Sequence, residues 1–216
     1  VVISVKNNLS RWYNQFFKRA FDLSVATVGT IAISPILLGI AIAIKASSPG
    51  PAFYAHRRIG KDGIYFNCYK FRSMVVDSDR RLQEYLRANP EAAKEWEETH
   101  KLKHDPRVTK IGAFLRKTSL DELPQLFNVI RGQMSLIGPR PIVDEEVIKY
   151  DVFFSDYTMV RPGMTGLWQT SGRSDTSYSR RVRLDAWYVR NWNIWLDISL
   201  LVKTVRVVLS SHSGAY

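Results

Sequence analysis

The stretch best suited to chemistry is 119–125, Ser-Leu-Asp-Glu-Leu-Pro-Gln, because it places two adjacent carboxylates where a helix is expected to begin. Apolar residues follow at helical spacing, and Ser119 and Glu122 have the capping-box pattern. Exposed N–H groups and the helix dipole favour negative charge there, so Asp121 stays ionised, as a nucleophile must be. Neighbouring helical side chains diverge by about 100°, so we predict separate tasks, with Asp121 attacking and Glu122 holding a metal ion. The competing interpretation is that both acids merely decorate a helix start.

Cations on both sides of the acidic pair are candidates for binding a phosphate. Lys70 and Arg72 share one face of a predicted strand, and Arg116 lies shortly before the acids. Arg140 stands between two prolines that restrict its backbone, and Arg161 leads a Gly/Pro loop that could close over a nucleotide. Such side chains suit tetrahedral anions. The competing interpretations are a solvated strand face and ordinary surface loops.

Short elements are predicted around these residues. The runs Ala52–Ile59 and Ile64–Arg72 are joined by a Gly-containing loop and indicate an antiparallel β-hairpin. Residues 77–89 and 90–102 indicate two charged helices, and Gly132 is expected to end the helix that carries the acids. The fold class predicted from these patterns is α/β, mostly helical with a small antiparallel β-hairpin.

The apolar segment Phe21–Ile44 has the length and composition of a membrane span, since no charge lies between Asp22 and Lys45. Ser34 and Pro35 fall at its middle, where proline kinks a helix and serine can satisfy a freed carbonyl. A kinked helix could cross the bilayer, or the helix could break and leave on the side it entered. Cations flank both ends, and the positive-inside tendency favours this re-entrant helix hairpin over a crossing helix. The least favoured interpretation is that this segment forms a buried helix of a soluble core.

Amphipathic segments at both ends of the chain indicate helices lying in a membrane interface. Val5–Ala20 mixes aromatic and basic residues. The C-terminal part combines clustered tryptophan and tyrosine with an apolar run too short and too charged to span. We therefore predict three parts: residues 1–48 with an interfacial helix and the re-entrant membrane helix, a cytoplasmic catalytic domain at 49–182, and C-terminal interfacial helices at 183–216.

Charge and cysteine content restrict the partners. The 216 residues carry a net charge of +11, which indicates an anionic partner such as nucleic acid, an acidic membrane or a phosphorylated substrate. The long apolar segment and the lack of a base-reading module argue against nucleic acid. The single cysteine, Cys68, excludes an internal disulfide and is interpreted as a packed strand residue. A membrane-bound, non-catalytic scaffold that holds anionic lipid is the alternative to an enzyme.

Several motifs in order resemble the bacterial sugar transferase family, the monotopic polyprenyl-phosphate phosphoglycosyl transferases. They are Lys-Phe-Arg-Ser-Met at 70–74, Asp-Pro-Arg at 105–107, Arg-Lys-Thr-Ser-Leu-Asp-Glu-Leu-Pro-Gln at 116–125, Met-Ser-Leu-Ile-Gly-Pro-Arg-Pro at 134–141 and Arg-Pro-Gly at 161–163. The resemblance covers residues 18–216 and is greatest to the catalytic C-terminal part of members that transfer galactose phosphate in O-antigen synthesis. Those members carry extra membrane helices and a soluble domain upstream, which would account for a chain that begins at Val1.

The resemblance implies a two-step transfer. Asp121 would attack the β-phosphorus of a UDP-hexose, UMP would leave, and undecaprenyl phosphate would take the sugar phosphate from the aspartyl intermediate. Glu122 matches the family position that binds Mg²⁺, and Lys70, Arg116 and Arg140 would bind phosphates. The family's membrane helix breaks at a Ser-Pro pair, here Ser34-Pro35. The expected location is the bacterial inner membrane with the site on its cytoplasmic face, among membrane lipids, and family members often form homodimers. Galactose is the expected hexose, and glucose is the alternative.

Overall fold

The computed structural model describes residues 8–99, 102–171 and 177–209 of the chain. These residues are mostly helical and include two sheets of two strands each, which confirms the mostly helical prediction. The helices are α1 Trp12–Ser47, α2 Ser78–Ala88, α3 Pro90–Thr99, α4 Lys110–Thr118, α5 Gln125–Ile130, α6 Asp144–Tyr150, α7 Phe154–Thr158, α8 Tyr178–Asn191 and α9 Ile194–Leu209. The strands are β1 Phe53–Ile59, β2 Tyr65–Phe71, β3 Ser135–Ile137 and β4 Gly163–Thr165. The outer ends of the predicted interfacial segments, residues 5–7 and 210–216, lie outside the described residues.

The apolar segment belongs to α1, a helix of 36 residues. Among the described residues α1 is the one helix long and apolar enough to cross a membrane, and only 11% of its most apolar window is buried. A stripe along its whole length faces the rest of the protein, and the opposite face exposes large apolar side chains. The buried stripe is Lys18, Asp22, Ala26, Leu37 and Ile44, and the exposed face includes Val28, Ile31, Leu38 and Ile42. Such an exposed apolar surface indicates membrane association.

The predicted break at Ser34 and Pro35 is not an interruption of the helix. α1 continues through Pro35, so the two separate helices of a re-entrant hairpin are not seen. Proline lacks the N–H that would bond the carbonyl of Ile31, and the Ser34 hydroxyl donates to that carbonyl over 2.8 Å. The serine therefore satisfies the freed backbone group, as predicted. Because proline also bends a helix, this pair marks the point where α1 can change direction.

The predicted β-hairpin is confirmed. β1 and β2 pair antiparallel, from Phe53 opposite Phe71 to Ile59 opposite Tyr65. Residues that pair directly, and those two apart along a strand, project from the same face. The register therefore places the Arg58, Cys68 and Lys70 side chains on one face of the hairpin.

A second sheet, not predicted from the sequence, holds the loop that carries Arg140. β3 and β4 pair in parallel, and the Gly138 N–H, directly after β3, donates to the Thr165 carbonyl over 2.9 Å. A Cβ atom on Gly163 would collide with the backbone of Gly138, so this close approach requires glycine. The sheet thereby fixes where the chain leaves β3 and enters the Arg140 loop.

Buried charges tie α1 to the C-terminal helices. Lys18 Nζ lies 2.6 Å from Asp197 Oδ2 and 3.8 Å from a carboxylate oxygen of Asp22. Asp197 also accepts hydrogen bonds from the Tyr188 hydroxyl at 2.7 Å and from Trp192 Nε1 at 3.0 Å. A buried carboxylate with three donors is well satisfied, so this cluster holds α1, α8 and α9 in one arrangement.

One hydrophobic cluster crosses both predicted domain boundaries. Its members include Ala26 from α1, Phe66 and Cys68 from β2, Val129 from α5, Ile137 from β3, Val189 from α8 and Leu200 from α9. The assignment of the C-terminal aromatic residues to a membrane boundary needs correction. Tyr188 on α8 and Trp192, directly after α8, are buried and bond Asp197, whereas Trp187 and Trp195 are exposed.

Replacing Lys18 with methionine is expected to destabilise the protein by about 3–5 kcal/mol, because it leaves buried carboxylates without their cation. Thermal unfolding of the detergent-solubilised protein, followed by tryptophan fluorescence, measures the loss. The control is Lys45→Met, which removes an exposed cation from the other end of α1 and should have little effect. An unchanged midpoint for Lys18→Met would contradict a stabilising role for the cluster.

Candidate active site

The acidic pair lies on a tight turn between α4 and α5. Ser119 ends α4 in the left-handed conformation, with φ 58°, and the chain then makes a 3-10 turn at Leu120–Glu122. α5 begins only after Pro124, whose φ of −61° suits the approach to a helix. The predicted capping box is wrong, because Ser119 adopts a left-handed conformation and its side chain forms no cap hydrogen bond. Helical conformation does begin near Asp121, in the 3-10 turn that contains it. Gly132, with φ 80°, follows the end of α5, as predicted.

Asp121 is buried and lies among cations. Burial raises the pKa of its carboxyl above the ordinary value, and the neighbouring charge of Glu122 raises the pKa further. Lys70 and Arg116 act in the opposite direction and favour the ionised form. The expectation that the first turn alone keeps this aspartate ionised is therefore incomplete, because the two cations must offset desolvation.

Glu122 points to the mouth of a cavity and pairs with Lys70. The Lys70 Nζ atom lies 2.6 Å from Glu122 Oε1, and the glutamate side chain is 41% exposed. Asp121 and Glu122 thus occupy different environments, one buried and one half in solvent, as their separate predicted tasks require. This ion pair also holds the Lys70 ammonium group beside the acids before any phosphate binds.

The cavity beside Glu122 has a volume of about 250 Å³. Its walls come from the hairpin, the acidic turn, the Arg140 loop and the segment after β4. They are Arg58, Cys68, Lys70, Glu122, Gln125, Arg140, Pro141, Met164, Trp168 and Gln169. Three cations and one carboxylate therefore line a space that could hold part of a phosphorylated molecule. Burial raises the pKa of the Cys68 thiol to about 11, so this cysteine is a packed wall residue, as predicted.

Arg140 and Arg58 both interact with the carboxylate of Glu146. The Glu146 carboxylate lies 4.0 Å from Arg140 Nη1 and 3.6 Å from Arg58 Nη1, and it also accepts from the Val143 N–H at the start of α6. Both guanidinium groups reach the cavity from this common support. The structure thus brings Arg140 to the same cavity as Lys70 and Glu122, and its binding of phosphate stays a prediction. Arg58 was missed, although the register of the predicted hairpin could have identified it on the Lys70 face.

Arg116 approaches the acids from another direction. Its Nε donates to the Ser73 hydroxyl over 2.9 Å, and its side chain lines an open surface groove of about 640 Å³ with Asp105 and Lys110. It is near enough to Asp121 to lower the pKa of that carboxyl. The described geometry thus supports an electrostatic role for Arg116 toward Asp121.

Two of the predicted phosphate-binding arginines lie elsewhere. Arg72 is buried, and its guanidinium donates to the Ser48 and Pro49 carbonyls at 2.7 Å each, where it holds the C-terminal end of α1. Arg161 Nε donates to the Gly132 carbonyl over 2.7 Å, and its side chain lines a different cavity. Both guanidinium groups bond backbone carbonyls and neither lines the cavity beside Glu122, so their binding of phosphate stays a prediction.

A metal site made of protein side chains alone is absent from the described residues, which contain no suitable group of three or more His, Cys, Asp or Glu side chains. Glu122 offers a hard carboxylate oxygen at the cavity mouth. Such a donor fits Mg²⁺ where substrate phosphates and water complete the coordination.

The chain belongs to the bacterial sugar transferase family, whose model matches residues 13–211. The match includes the acidic turn, the Arg140 loop and most of α1. It confirms the family assignment made from the motifs.

Curated relatives are similar over all or most of the chain. The UDP-galactose-lipid carrier transferase of Erwinia amylovora is 52% identical over the whole chain and 45% of its own length. The undecaprenyl-phosphate galactose phosphotransferase of Salmonella typhimurium is 50% identical with the same coverage. The UDP-glucose:undecaprenyl-phosphate glucose-1-phosphate transferase of Escherichia coli is 40% identical over 89% of this chain and 40% of its own length. The chain thus spans less than half the length of these relatives.

Arg140→Met is expected to weaken binding of inorganic pyrophosphate about tenfold, because a charge-assisted hydrogen bond to phosphate is lost. Isothermal titration calorimetry on the detergent-solubilised protein measures the dissociation constant. Arg161→Met is the matched control and should stay within about twofold, because Arg161 does not line this cavity. Equal losses in the two variants would show that only net charge matters.

Proposed function

We propose that the protein transfers hexose-1-phosphate from a UDP-hexose to undecaprenyl phosphate and releases UMP, as the first membrane step of surface-polysaccharide synthesis. The observation that carries this proposal is the buried Asp121, whose carboxylate interacts with Lys70 and Arg116 and whose neighbour Glu122 lines a cavity with cationic walls. A diphosphate bound in that cavity would bring its phosphorus atoms beside a carboxylate that two cations favour in its charged form.

In the first step, a carboxylate oxygen of Asp121 attacks the β-phosphorus. A bond forms between that oxygen and phosphorus, and the bond from the β-phosphorus to the bridging oxygen breaks. The electron pair leaves with the bridging oxygen as part of UMP, and the hexose phosphate stays on the aspartate. Lys70 and Arg140 stabilise the negative charge on the phosphoryl oxygens as the bonds change.

In the second step, a phosphate oxygen of the lipid attacks the same phosphorus. The bond to Asp121 breaks, its electron pair returns to the carboxylate, and the lipid diphosphate sugar leaves. The carboxylate is regenerated without net proton transfer, so the chain needs no general base at this position. No histidine stands among the described residues that line the cavity, which agrees with that requirement.

Glu122 would hold Mg²⁺ through its exposed carboxylate. The ion would neutralise charge on the diphosphate when bound. Lys70 pairs with Glu122. When a phosphate binds, the same ammonium group would turn to it.

Galactose is the hexose we propose for the donor. The two relatives named for galactose are 52% and 50% identical to the chain, against 40% for the relative named for glucose. UDP-glucose is the alternative, because the two hexoses differ only in the direction of one hydroxyl group.

We propose that α1 enters and leaves the membrane on the cytoplasmic side of the inner membrane. Its buried stripe contacts the same body before and after Pro35: Asp22 bonds the start of β3, and Ile44 packs with Phe71 and Leu115. A straight crossing helix would carry one half away from that body. Contacts along both halves support a helix that dips its exposed apolar face into the bilayer and bends at Pro35.

Asp121→Asn is expected to lower UMP release from UDP-galactose at least about a thousandfold, because an amide is a poor nucleophile for phosphorus. UMP release is measured in detergent with Mg²⁺ and undecaprenyl phosphate. With UDP-galactose labelled in the sugar and no lipid acceptor, label should stay on the wild-type protein and be absent from the variant.

The control for folding is the thermal midpoint of the same Asp121→Asn sample, which should remain close to that of the wild type. Normal turnover by the variant would exclude the covalent mechanism. Absence of Mg²⁺-dependent UMP release from the wild type, together with binding to anionic vesicles, would favour the non-catalytic scaffold.

Cysteines placed at Ala20 and Lys45 are expected to react with an impermeant maleimide from the same membrane face. Both positions are exposed at the two ends of the apolar segment, and Cys68→Ala removes the native thiol. Labelling is compared in intact cells and in inverted membrane vesicles, and both sites should react only in the inverted vesicles. Reaction of the two sites from opposite faces would establish a crossing helix.

A further inference from the structure

Two buried side-chain oxygens lack a hydrogen-bond partner in the described part of the chain, and both belong to the walls of one region. They are Asp185 Oδ1 on α8 and Gln169 Oε1 in the segment after β4. Buried polar atoms in folded proteins are nearly always bonded, because an unpaired one costs about 1–3 kcal/mol. Two exceptions in neighbouring pockets that share Arg140 and Trp168 indicate that a ligand supplies the missing donors.

Asp185 lines a small pocket that adjoins the candidate site. Its Oδ2 accepts from the Tyr150 hydroxyl at 2.8 Å, while Oδ1 has no partner. A pocket of about 10 Å³ beside it is lined also by Arg140 and Trp168, which both line the larger cavity as well. A space of that size holds about one oxygen atom, so Asp185 can meet a single group of a ligand that enters from the cavity.

Gln169 belongs to the walls of the larger cavity. Oε1 packs close to Gly166, where an added Cβ would lie 2.9 Å from it. The residue before it, Trp168, is held from the other side by the Arg181 guanidinium, 4.6 Å from the ring centre. The segment that carries Gln169 is therefore supported by stacking on a residue of α8, the helix that carries Asp185.

We propose that Asp185 Oδ1 and Gln169 Oε1 form a subsite that accepts hydrogen bonds from sugar hydroxyl groups of the nucleotide sugar. This inference rests on the proposed function, which supplies the ligand, and assigns residues to its sugar. Neither residue belongs to the motifs that resemble those of the family.

The chemistry of the donor favours its sugars over its base. The subsite has two acceptors and needs two donors, whereas uracil offers one N–H group. A hexose and a ribose each offer several hydroxyl groups, and each is joined to a phosphate. Arg140 lines both spaces, so a phosphate at Arg140 would bring the attached sugar toward Asp185. Burial raises the pKa of Asp185 to about 7, and a hydroxyl that donates to Oδ1 would favour the ionised form, which gives strong selection for a hydroxyl at one position.

Asp185→Asn tests the subsite with little change of shape. The amide oxygen can still accept from Tyr150, and the amide nitrogen then faces the pocket, so an acceptor becomes a donor. Tyr150→Phe is the matched control, because it removes the bond to Asp185 but leaves Oδ1 in place. If Asp185 acts only by joining α6 to α8, the two variants will behave alike.

Binding is measured in the Asp121→Asn background, so that the donor stays intact. The probe is whichever of UDP-galactose and UDP-glucose binds that protein more tightly, with Kd from calorimetry. Asp185→Asn should raise this Kd about ten- to a hundredfold, as expected for a lost bond to a charged group. Tyr150→Phe should change it less than about threefold. Gln169→Met, at a half-buried position where misfolding is a smaller risk, should raise it about three- to tenfold.

UDP without a hexose distinguishes the two sources of hydroxyl groups. If Asp185→Asn leaves the Kd of UDP unchanged, the hexose occupies the subsite, and if both Kd values rise equally, the ribose does. The inference is overturned if both Asp185→Asn and Gln169→Met bind the nucleotide sugar within about twofold of their parent, or if Tyr150→Phe loses as much as Asp185→Asn.

Different outcomes would refute the transferase proposal. Absence of UMP release from the wild type, with the nucleotide sugar still bound, would refute the reaction and leave the Kd comparison valid. If neither nucleotide sugar binds the Asp121→Asn protein, the subsite and the reaction are both refuted.

Discussion

The site depends on keeping one carboxylate charged where water is largely excluded. Burial raises the pKa of Asp121, and so does Glu122, while Lys70 and Arg116 lower it. Such a carboxylate is poorly solvated, and its charged form is favoured by Lys70 from β2 and Arg116 from α4. This environment suits a nucleophile that attacks phosphorus. The surrounding cations have their own supports: Glu122 holds Lys70, Glu146 lies between Arg58 and Arg140, and Ser73 accepts from Arg116. The positive field is thus built before the ligand arrives.

Backbone conformation does most of the positioning. Ser119 adopts a left-handed conformation, which turns the chain sharply enough for a 3-10 turn to present the acids between two helices. Gly138 and Gly163 allow two strands to approach closely and so direct the Arg140 loop toward the acids. These features cost conformational freedom, and they are maintained by the packing of α5, β3 and α8 in one core. Because the side chains of the site extend from such fixed points, they need little further ordering to bind a diphosphate.

The sequence predicted the local features well and the long-range ones poorly. The hairpin, the paired charged helices, the acidic turn, Lys70 and Arg140 follow from spacing, glycine and proline, which act over a few residues. Arg72 has the same strand spacing as Lys70, and Arg161 precedes a proline as Arg140 does, yet both guanidinium groups bind backbone carbonyls. Only tertiary contacts separate an arginine that closes a helix end from one that faces a cavity. Asp185 could not be identified from sequence, because an acid on an amphipathic helix is usually exposed.

The acidic turn and the membrane-associated helix are directly connected. Leu120 and Leu123, the residues on either side of the acids, pack against the cluster that includes Leu37 and Ile44 of α1. At its other end α1 is held by the ion pair between Lys18 and Asp197. The depth of α1 in a bilayer therefore sets the height of Asp121 above the lipid. In the proposed reaction a soluble nucleotide sugar and a lipid phosphate must reach one carboxylate in turn. Because Asp121 would lie at a fixed distance from the membrane surface, both could reach it without movement of the acidic turn.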